Sequence, residues 1–505
     1  MGLQVRDLLS AASAADARGG AQGQDSQPAP IRVAAERRVS PLVLAGIVRA
    51  SEIGLVAATG IAVHAAYLRG HVSLTWPYLG ALLVITALAA ISFQAVGAYA
   101  VTALRSLMQT GLRLAGAWSF VFLCVIALVF FTKTGEALSR VWLASWYLAG
   151  LGILLLERVV LALVVRRMTA AGSFERRTAI VGGGEPANEI IRALQAQPEI
   201  GISIVGVFDD RDDARSPPIV GGYRKLGTVS DLVDYARQSP LDLVIFTLPI
   251  SAENRLLHML GKLWVLPIDI RLSAHASKLR LRPRSYSYIG SVPVLDVFDR
   301  PIADWDLILK SAFDRVVGTL ILLLALPLLI GAAVAVRLDS PGPILFRQKR
   351  YGFNNELIEV FKFRTMYVEK TDATASRLVT KNDPRVTRIG RILRKTSIDE
   401  LPQLFNVVFK GNMSLVGPRP HAVQANAQNR LYDQVVDGYF ARHKVRPGIT
   451  GWAQINGWRG ETDTPEKIQR RVEHDLYYIE NWSVFLDLYI LAATPFSLLK
   501  TENAY

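Results

Sequence analysis

Residues 316–336 read VVGTLILLLALPLLIGAAVAV, 21 positions without a charge and with Pro327 at the centre. The run is as long as the ~20 apolar residues that cross ~30 Å of hydrocarbon. Proline removes a backbone hydrogen bond and its ring clashes with the preceding turn, so a sharp break at Pro327 is expected. Two folds follow from that residue. A kinked span would carry the rest of the chain across the membrane. A helix–break–helix would enter and leave on one face. The flanks, with Lys310, Asp314 and Arg315 before and Arg337 and Asp339 after, leave both alternatives open.

Just beyond this run the charge changes. Residues 343–398 hold 13 Lys and Arg against 5 Asp and Glu, more than half of the excess that gives the chain its net charge of +14. A solvated face usually alternates signs, whereas here Arg347, Lys349, Arg350, Lys362, Arg364, Arg385, Arg388, Arg391, Arg394 and Lys395 dominate. A patch beside an apolar hairpin suits lipid headgroups or a phosphate-rich substrate. Nucleic acid is not an expected partner, because no DNA- or RNA-binding motif accompanies the patch.

The patch runs into Thr396-Ser-Ile-Asp-Glu-Leu-Pro-Gln403, with Asp399 and Glu400 adjacent. Ser397 and Glu400 have the spacing of a capping box, but that register puts Pro402 past the first helical turn; with Asp399 as the cap, Pro402 falls inside it. Helical neighbours point ~100° apart, so one carboxylate can face a phosphorus atom while the other holds a metal. Phosphoryl chemistry accounts for the basic surroundings. A diphosphate repels an anionic nucleophile until Mg²⁺ and guanidinium groups neutralise it, and a carboxylate can then attack phosphorus and form an acyl phosphate. Downstream, Arg419 lies between Pro418 and Pro420 on a stiff turn, a suitable mount for a phosphate-binding fork. Arg446–Arg459 is a glycine-rich aromatic loop, either a structured turn or a wall for a nucleotide or sugar. Residues 484–499 read as an interfacial helix.

Upstream, four further apolar stretches, Val48–Leu68, Pro77–Ala100, Leu114–Thr132 and Val141–Leu163, each approach membrane-spanning length. Trp76, Tyr78, Trp118, Trp142 and Trp146 fall near their ends, where interfacial rings are expected, and Arg49 is one turn from Glu52 and able to pair with it. Arg32, Arg37, Arg38 and Arg49 precede the first stretch and Arg166, Arg167, Arg176 and Arg177 follow the fourth, which places both the N-terminus and everything after residue 165 in the cytosol. Residues 1–40 read as a disordered cytosolic tail without the pattern of a cleaved signal peptide. Cys124 is the only cysteine, which excludes an internal disulfide and any multi-cysteine metal site. A chain of 505 residues, 51% hydrophobic and 20% charged, is too apolar to be disordered.

Between residues 174 and 300 short apolar strands at Thr178–Val181, Ile202–Phe208, Leu243–Leu248 and Ile268–Leu272 alternate with helical patterns, the rhythm of a parallel, doubly wound sheet. Gly182-x-Gly184-x-x-Ala187 is a loosened dinucleotide fingerprint, with Asp209 after the next strand placed for a ribose. The alternatives are a nucleotide site and a tight turn in a purely structural Rossmann-like domain.

Four motifs, Phe361–Met366, Leu393–Gln403, Val416–Pro420 and Pro447–Asn456, resemble the bacterial sugar transferases of polyprenyl-phosphate hexose-1-phosphate type, the monotopic phosphoglycosyl transferases. The likeness covers roughly residues 305–505. The N-terminal half is similar to that of the larger members, the undecaprenyl-phosphate glucose phosphotransferases, and Trp458–Asp463 is similar to the glucose-transferring group. The resemblance implies a membrane α plus α/β protein: a four-helix transmembrane domain (41–167), a Rossmann-like parallel α/β domain (174–300), a re-entrant membrane helix (305–338) and a mainly helical catalytic domain (339–505). It implies that Asp399 attacks the sugar-linked phosphorus of a UDP-sugar and releases UMP, that Glu400 helps bind Mg²⁺, and that the phosphosugar passes to undecaprenyl phosphate. Lys362, Arg394 and Arg419 would contact phosphates, Asp475 would belong to the surround of the site and Arg459 would contact substrate. The expected setting is the bacterial inner membrane, catalytic part on the cytoplasmic face, for the first membrane step of exopolysaccharide or capsule synthesis, with a homo-oligomer as a further expectation. One departure is Asn406–Lys410, a residue longer than the family's pattern and expected to shift the helix before Arg419.

Two other functions compete. A membrane-tethered NAD-dependent sugar-nucleotide oxidoreductase or epimerase needs a Tyr/Lys pair beside the glycine turn, and none stands out. A nucleotide-binding regulator of polysaccharide export leaves the Asp399–Glu400 pair among arginines without a purpose.

Overall fold

The computed structural model describes residues 39–68, 75–99, 103–104, 106–133, 137–211, 216–248, 252–274, 287–368, 383–421, 426–427, 430–432, 436, 438–458, 460 and 464–499. Almost all of the expected N-terminal tail, and Arg459, lie outside these residues. The chain divides into two compact units at Glu175/Arg176.

The first unit is four apolar helices: α1 (Pro41–Leu68), α2 (Trp76–Ala95), α3 (Leu107–Phe131) and α4 (Arg140–Ala170). Large apolar side chains such as Leu83, Leu123, Phe130 and Leu156 face outward. The aromatic residues expected at the interface divide. Trp76 is 86% exposed, but Tyr78, Trp118, Trp142 and Trp146 are buried in the core of the unit. Each indole N–H there donates to a backbone carbonyl, of Tyr147 (3.0 Å), Gly60 (3.1 Å) and Val56 (3.1 Å) respectively, and such a partner lets a tryptophan lie inside. The expected Arg49–Glu52 pair does not form. Glu52 is wholly buried and pairs with Arg158 of α4, while Arg49 reaches Gln94 of α2. A tertiary partner satisfies a buried charge better than a neighbour on the rim of the same helix.

The second unit begins with an α/β domain whose sheet has the strand order β3-β4-β2-β1-β5-β6-β8-β7. β1 (Arg176–Val181) lies parallel between β2 (Ile202–Phe208) and β5 (Leu243–Phe246); β4 (Tyr223–Gly227) and β6 (Asp269–Ser273) extend the parallel part. α5 (Glu185–Gln195), α6 (Val229–Gln238) and α7 (Glu253–Leu263) connect them. Sequence periodicity finds the parallel core. It does not find the antiparallel edges, β3 (Ile219–Val220) against β4, and the hairpin of β7 (Ser287–Ile289) and β8 (Val292–Phe298) against β6.

Next comes α8 (Asp304–Asp339), which runs as unbroken helix through Pro327. With α1–α4 it makes five helices long and apolar enough to cross a membrane. Its buried residues, Lys310, Asp314, Gly318, Leu322, Leu329, Ala332 and Val336, form one stripe that continues across the proline. Leu322, Leu329, Ala332 and Val336 share a core with Val360, Leu404, Val407, Leu415 and Ile490 of the C-terminal part. Near the start of the helix, Lys310 donates to Asp487 (2.6 Å) and to the Val416 carbonyl (3.1 Å), and Asp314 accepts from Ser414 and the Leu415 amide. At its end, Arg364 donates to the Ser340 carbonyl (2.6 Å) and Asp339 accepts from the Ile389 amide.

The C-terminal part carries short strands beside its helices. β9 (Leu345–Tyr351) and β10 (Leu357–Phe363) form an antiparallel hairpin, and β11 (Ser414–Val416) pairs in parallel with β12 (Gly448–Thr450). Around them pack α9 (Arg388–Thr396), α10 (Pro465–Glu480) and α11 (Val484–Leu499). The five residues Asn406–Lys410 adopt π-helix. A π turn bonds each residue to the fifth along and so takes up one extra residue without breaking the helix.

Candidate active site

Neither capping arrangement expected around the carboxylate pair is realised. Ser397 closes α9 in the left-handed conformation (φ +58°) and turns the chain into a 3₁₀ turn, Ile398–Glu400, with no side-chain cap. Pro402 takes helical dihedrals at the junction with the next short helix, so it ends nothing. The turn sets Asp399 and Glu400 on different faces.

Glu400 is clamped. Lys362, from β10, donates to its Oε1 at 2.8 Å, and Arg419 forks across both oxygens, with Nη1 to Oε2 at 3.0 Å and Nη2 to Oε1. Burial alone would raise the Glu400 carboxyl, but the Arg419 and Lys362 cations outweigh it and hold the group well below the usual carboxylate range. Asp399 is the opposite case. Among the described residues no hydrogen bond or ion pair holds its carboxylate, and burial together with the neighbouring Glu400 charge pushes it up to about 6, against the pull of Lys362, Arg394 and Arg419. Arg394, in the last turn of α9, is tied through Nε to Thr365 (2.8 Å). A small cleft opens between Arg350, Val360, Lys362, Glu400, Gln403, Arg419 and Pro420.

The structure therefore brings Lys362, Arg394, Asp399, Glu400 and Arg419 together. Asp475 lies one layer behind: it is buried on α10 and accepts from Arg442 Nη2 at 2.5 Å. Two residues complete the layer: Arg350, read from the sequence only as part of the basic patch, and Arg442, which sequence reasoning missed. Arg350 donates to the Pro420 carbonyl (3.0 Å) and Arg442 to the Arg419 carbonyl (2.7 Å). The alternation in LIEVFKF, residues 357–363, was the available signal for the strand that carries Lys362; nothing local singles out Arg442. The glycine-rich loop serves packing. A β-carbon at Gly448 would lie 2.1 Å from the Gly417 amide nitrogen, so the two backbones meet just ahead of Arg419.

For a divalent cation the donor set is small. Among the described residues no three His, Cys, Asp or Glu side chains group together. Glu400 is the carboxylate that fits Mg²⁺, which takes one or two carboxylates and completes its shell with substrate phosphates and water, although it would share oxygens that Lys362 and Arg419 already bond.

In the α/β domain Gly182, Gly184 and Asp209 also come together, but as a closed clasp. The Asp209 carboxylate accepts from the Gly183 amide (2.7 Å), from the Arg211 amide (3.0 Å) and from Arg211 Nε (2.9 Å), with Arg255 at 3.4 Å. A β-carbon at Gly182 would lie 2.7 Å from Thr247 Oγ1, and one at Gly183 would lie 2.3 Å from Ser216 Oγ. The carboxylate expected on a ribose is spent on its own turn; packing accounts for Gly182 and Gly183, and a left-handed φ of +90° for Gly184.

Over residues 305–501 the chain matches the bacterial sugar transferase family, and over 94–274 a family described as a CoA-binding domain. It is 38% identical over 390 residues to the UDP-glucose:undecaprenyl-phosphate glucose-1-phosphate transferase of Escherichia coli (strain K12), covering 77% of this chain and 81% of that one. The protein of that name from Xanthomonas campestris pv. campestris is 35% identical over 405 residues, 79% of this chain and 82% of its own. The undecaprenyl-phosphate galactose phosphotransferase of Salmonella typhimurium (strain LT2) is 31% identical over 403 residues, 75% and 79% of the two chains. A carboxylate pair set among cations, on a chain with such relatives, makes this an enzyme of the phosphoglycosyl transferase class. It belongs to the bacterial sugar transferase family.

Proposed function

We propose that the protein transfers hexose 1-phosphate, with glucose as the sugar, from a UDP-sugar to undecaprenyl phosphate, as the first membrane step of exopolysaccharide or capsule synthesis. The observation that carries the mechanism is the division between the two carboxylates: Glu400 held three ways by cations, Asp399 unheld beside it. In the first displacement an Asp399 oxygen attacks the sugar-bearing phosphorus, the bond from that phosphorus to the bridging oxygen breaks, and UMP leaves with the electron pair. In the second, a phosphate oxygen of undecaprenyl phosphate attacks the same phosphorus, the acyl phosphate breaks, and Asp399 returns to its carboxylate. Arg419, Lys362 and Arg394 neutralise the phosphates, and Glu400 keeps the first two in place. Glu400 would help hold a Mg²⁺ ion, which would supply further charge neutralisation. Glucose rests on the printed names of two relatives aligned over more than three quarters of this chain.

We also propose that α8, although continuous through Pro327, does not span the bilayer but keeps both ends on one face, with the catalytic part cytosolic. Asp314 and Ser340 are ~39 Å apart along a straight helix, yet both ends bond the same C-terminal core, and the buried stripe between them packs on it throughout. A span would put its two ends on opposite sides of the bilayer.

Membranes supplied with a panel of UDP-sugars, with UMP as the readout, test the reaction. Wild type is expected to release UMP from UDP-glucose and, without acceptor, to gain a hexose phosphate by intact mass; Asp399→Asn is expected to do neither. Undiminished UMP release by Asp399→Asn would overturn the nucleophile.

A further inference from the structure

We infer that Arg442 is a positioning residue for Arg419, and that the α/β domain braces the turn on which Arg442 stands. Arg442 belongs to the 3₁₀ stretch Tyr439–Lys444 and is 1% exposed. One guanidinium nitrogen, Nη2, donates both to the Arg419 carbonyl (2.7 Å) and to Asp475 (2.5 Å); the other, Nη1, lies 2.6 Å from His421 Nδ1. Burial and the Arg442 charge keep the imidazole of His421 neutral, so its ring nitrogen can accept. Arg350 holds the Pro420 carbonyl. Residues 419, 420 and 421 are thus each gripped by a guanidinium group from behind, and the side chain of Arg419 projects from that fixed rail to fork Glu400. Arg442 makes no hydrogen bond to Glu400 among the described residues and does not line the cleft, so it acts through Arg419; Arg350 both lines the cleft and holds the Pro420 carbonyl.

The opposite side of the same turn meets the α/β domain. Arg237 of α6 lies over the Phe440 ring at 5.0 Å, and Lys444 lies over Trp264 at 5.3 Å and Phe298 at 5.8 Å. Asn354, at the tip of the β9–β10 hairpin that carries Lys362 and Arg350, donates to the Ala236 carbonyl at the end of α6 (2.9 Å). The hairpin that presents Lys362 and Arg350 to the cleft and the turn that backs Arg419 therefore both rest on the α/β domain, at the end of α6 and, for the turn, also at Trp264 and Phe298. A domain whose glycine turn is closed on itself gains a purpose here, as the abutment of the active site.

The inference rests on the proposed function only in taking Arg419 as a phosphate ligand. A double-mutant cycle on the purified full-length protein tests it, with UDP affinity measured by calorimetry and kcat/KM for UMP release in parallel. Arg442→Gln is expected to weaken UDP binding by about tenfold and kcat/KM by about 10–100-fold. In an Arg419→Ala background the same change is expected to alter either quantity less than about twofold, because its effect travels through Arg419. Trp264→Ala, outside the cleft, is expected to show the same dependence on Arg419 with a smaller loss, and it carries the test if Arg442→Gln does not fold. Losses that add independently of Arg419, or no loss in Trp264→Ala, would overturn the inference. A wild-type protein that binds UDP but releases no UMP would instead sink the proposed reaction and leave the cycle, read on UDP affinity, to decide the inference. Wild type that does not bind UDP overturns both.

Discussion

Asp399 and Glu400 are chain neighbours of like charge, and the fold gives them different partners. Two cations lock Glu400 in its ionised form, and its charge in turn helps lift Asp399 to about 6. The nucleophile is competent only when deprotonated, so kcat/KM for UMP release is expected to fall as pH drops through about 6 and to level off above it. A rate profile flat from pH 5 to 8, in roughly the range where only a shifted carboxylate or a histidine titrates, would count against Asp399 in that role. Arg419 holds Glu400 through a planar two-nitrogen fork, which an ammonium cannot reproduce. Arg419→Lys is therefore expected to lower kcat/KM by roughly 10²-fold, the scale of losing a preorganised charge contact, while leaving the unfolding temperature nearly unchanged. Measuring both in one preparation separates a chemical loss from a folding loss.

Among the elements, α8 depends most on a few buried polar groups. Lys310 connects it at once to α11 through Asp487 and to β11 through the Val416 carbonyl. Lys310→Met leaves Asp314 and Asp487 buried without their cation, a loss on the order of 3–5 kcal/mol, visible as a lower unfolding temperature in detergent. The element scale also shows what could be read in advance. The strands of the α/β core, Ile202–Phe208 above all, and α11 follow from periodicity alone, because each buries one face or both. The strand β9 was hidden beneath its charge: LFRQKRY exposes Arg347 and Lys349 and so reads as part of a basic patch, whereas LIEVFKF alternates openly. Pro327 misled in the other direction. Its local rule is sound, but the packing of both halves on one core keeps the helix continuous. Of the site, the carboxylates, Lys362, Arg394 and Arg419 were legible as motifs. Arg442 was not, because its partners Arg419 and Asp475 lie 23 and 33 positions away, and only tertiary structure makes an arginine among many into a brace.

For the molecule as a whole, the proposed topology puts both flanks of α8 in the cytosol. With Cys124 replaced by serine, single cysteines at Glu185, before α8, and at Arg470, after it, are expected to react with a membrane-impermeant maleimide only in inside-out vesicles. Both side chains are well exposed, 67% and 60%, so access to the reagent is not in question. Labelling of Arg470→Cys from outside intact cells would make α8 a span. The outer surface of the second unit has one more consequence. Leu324 and Leu338 of α8, Phe409 of the π turn, and Phe485, Tyr489 and Phe496 of α11 all point away from the core. This unit carries its own greasy keel, independent of α1–α4. Deleting the four-helix unit is thus expected to leave a protein that still pellets with vesicles and still needs detergent, so the enzyme's foothold on lipid is redundant, and the four helices are free to serve some purpose other than attachment.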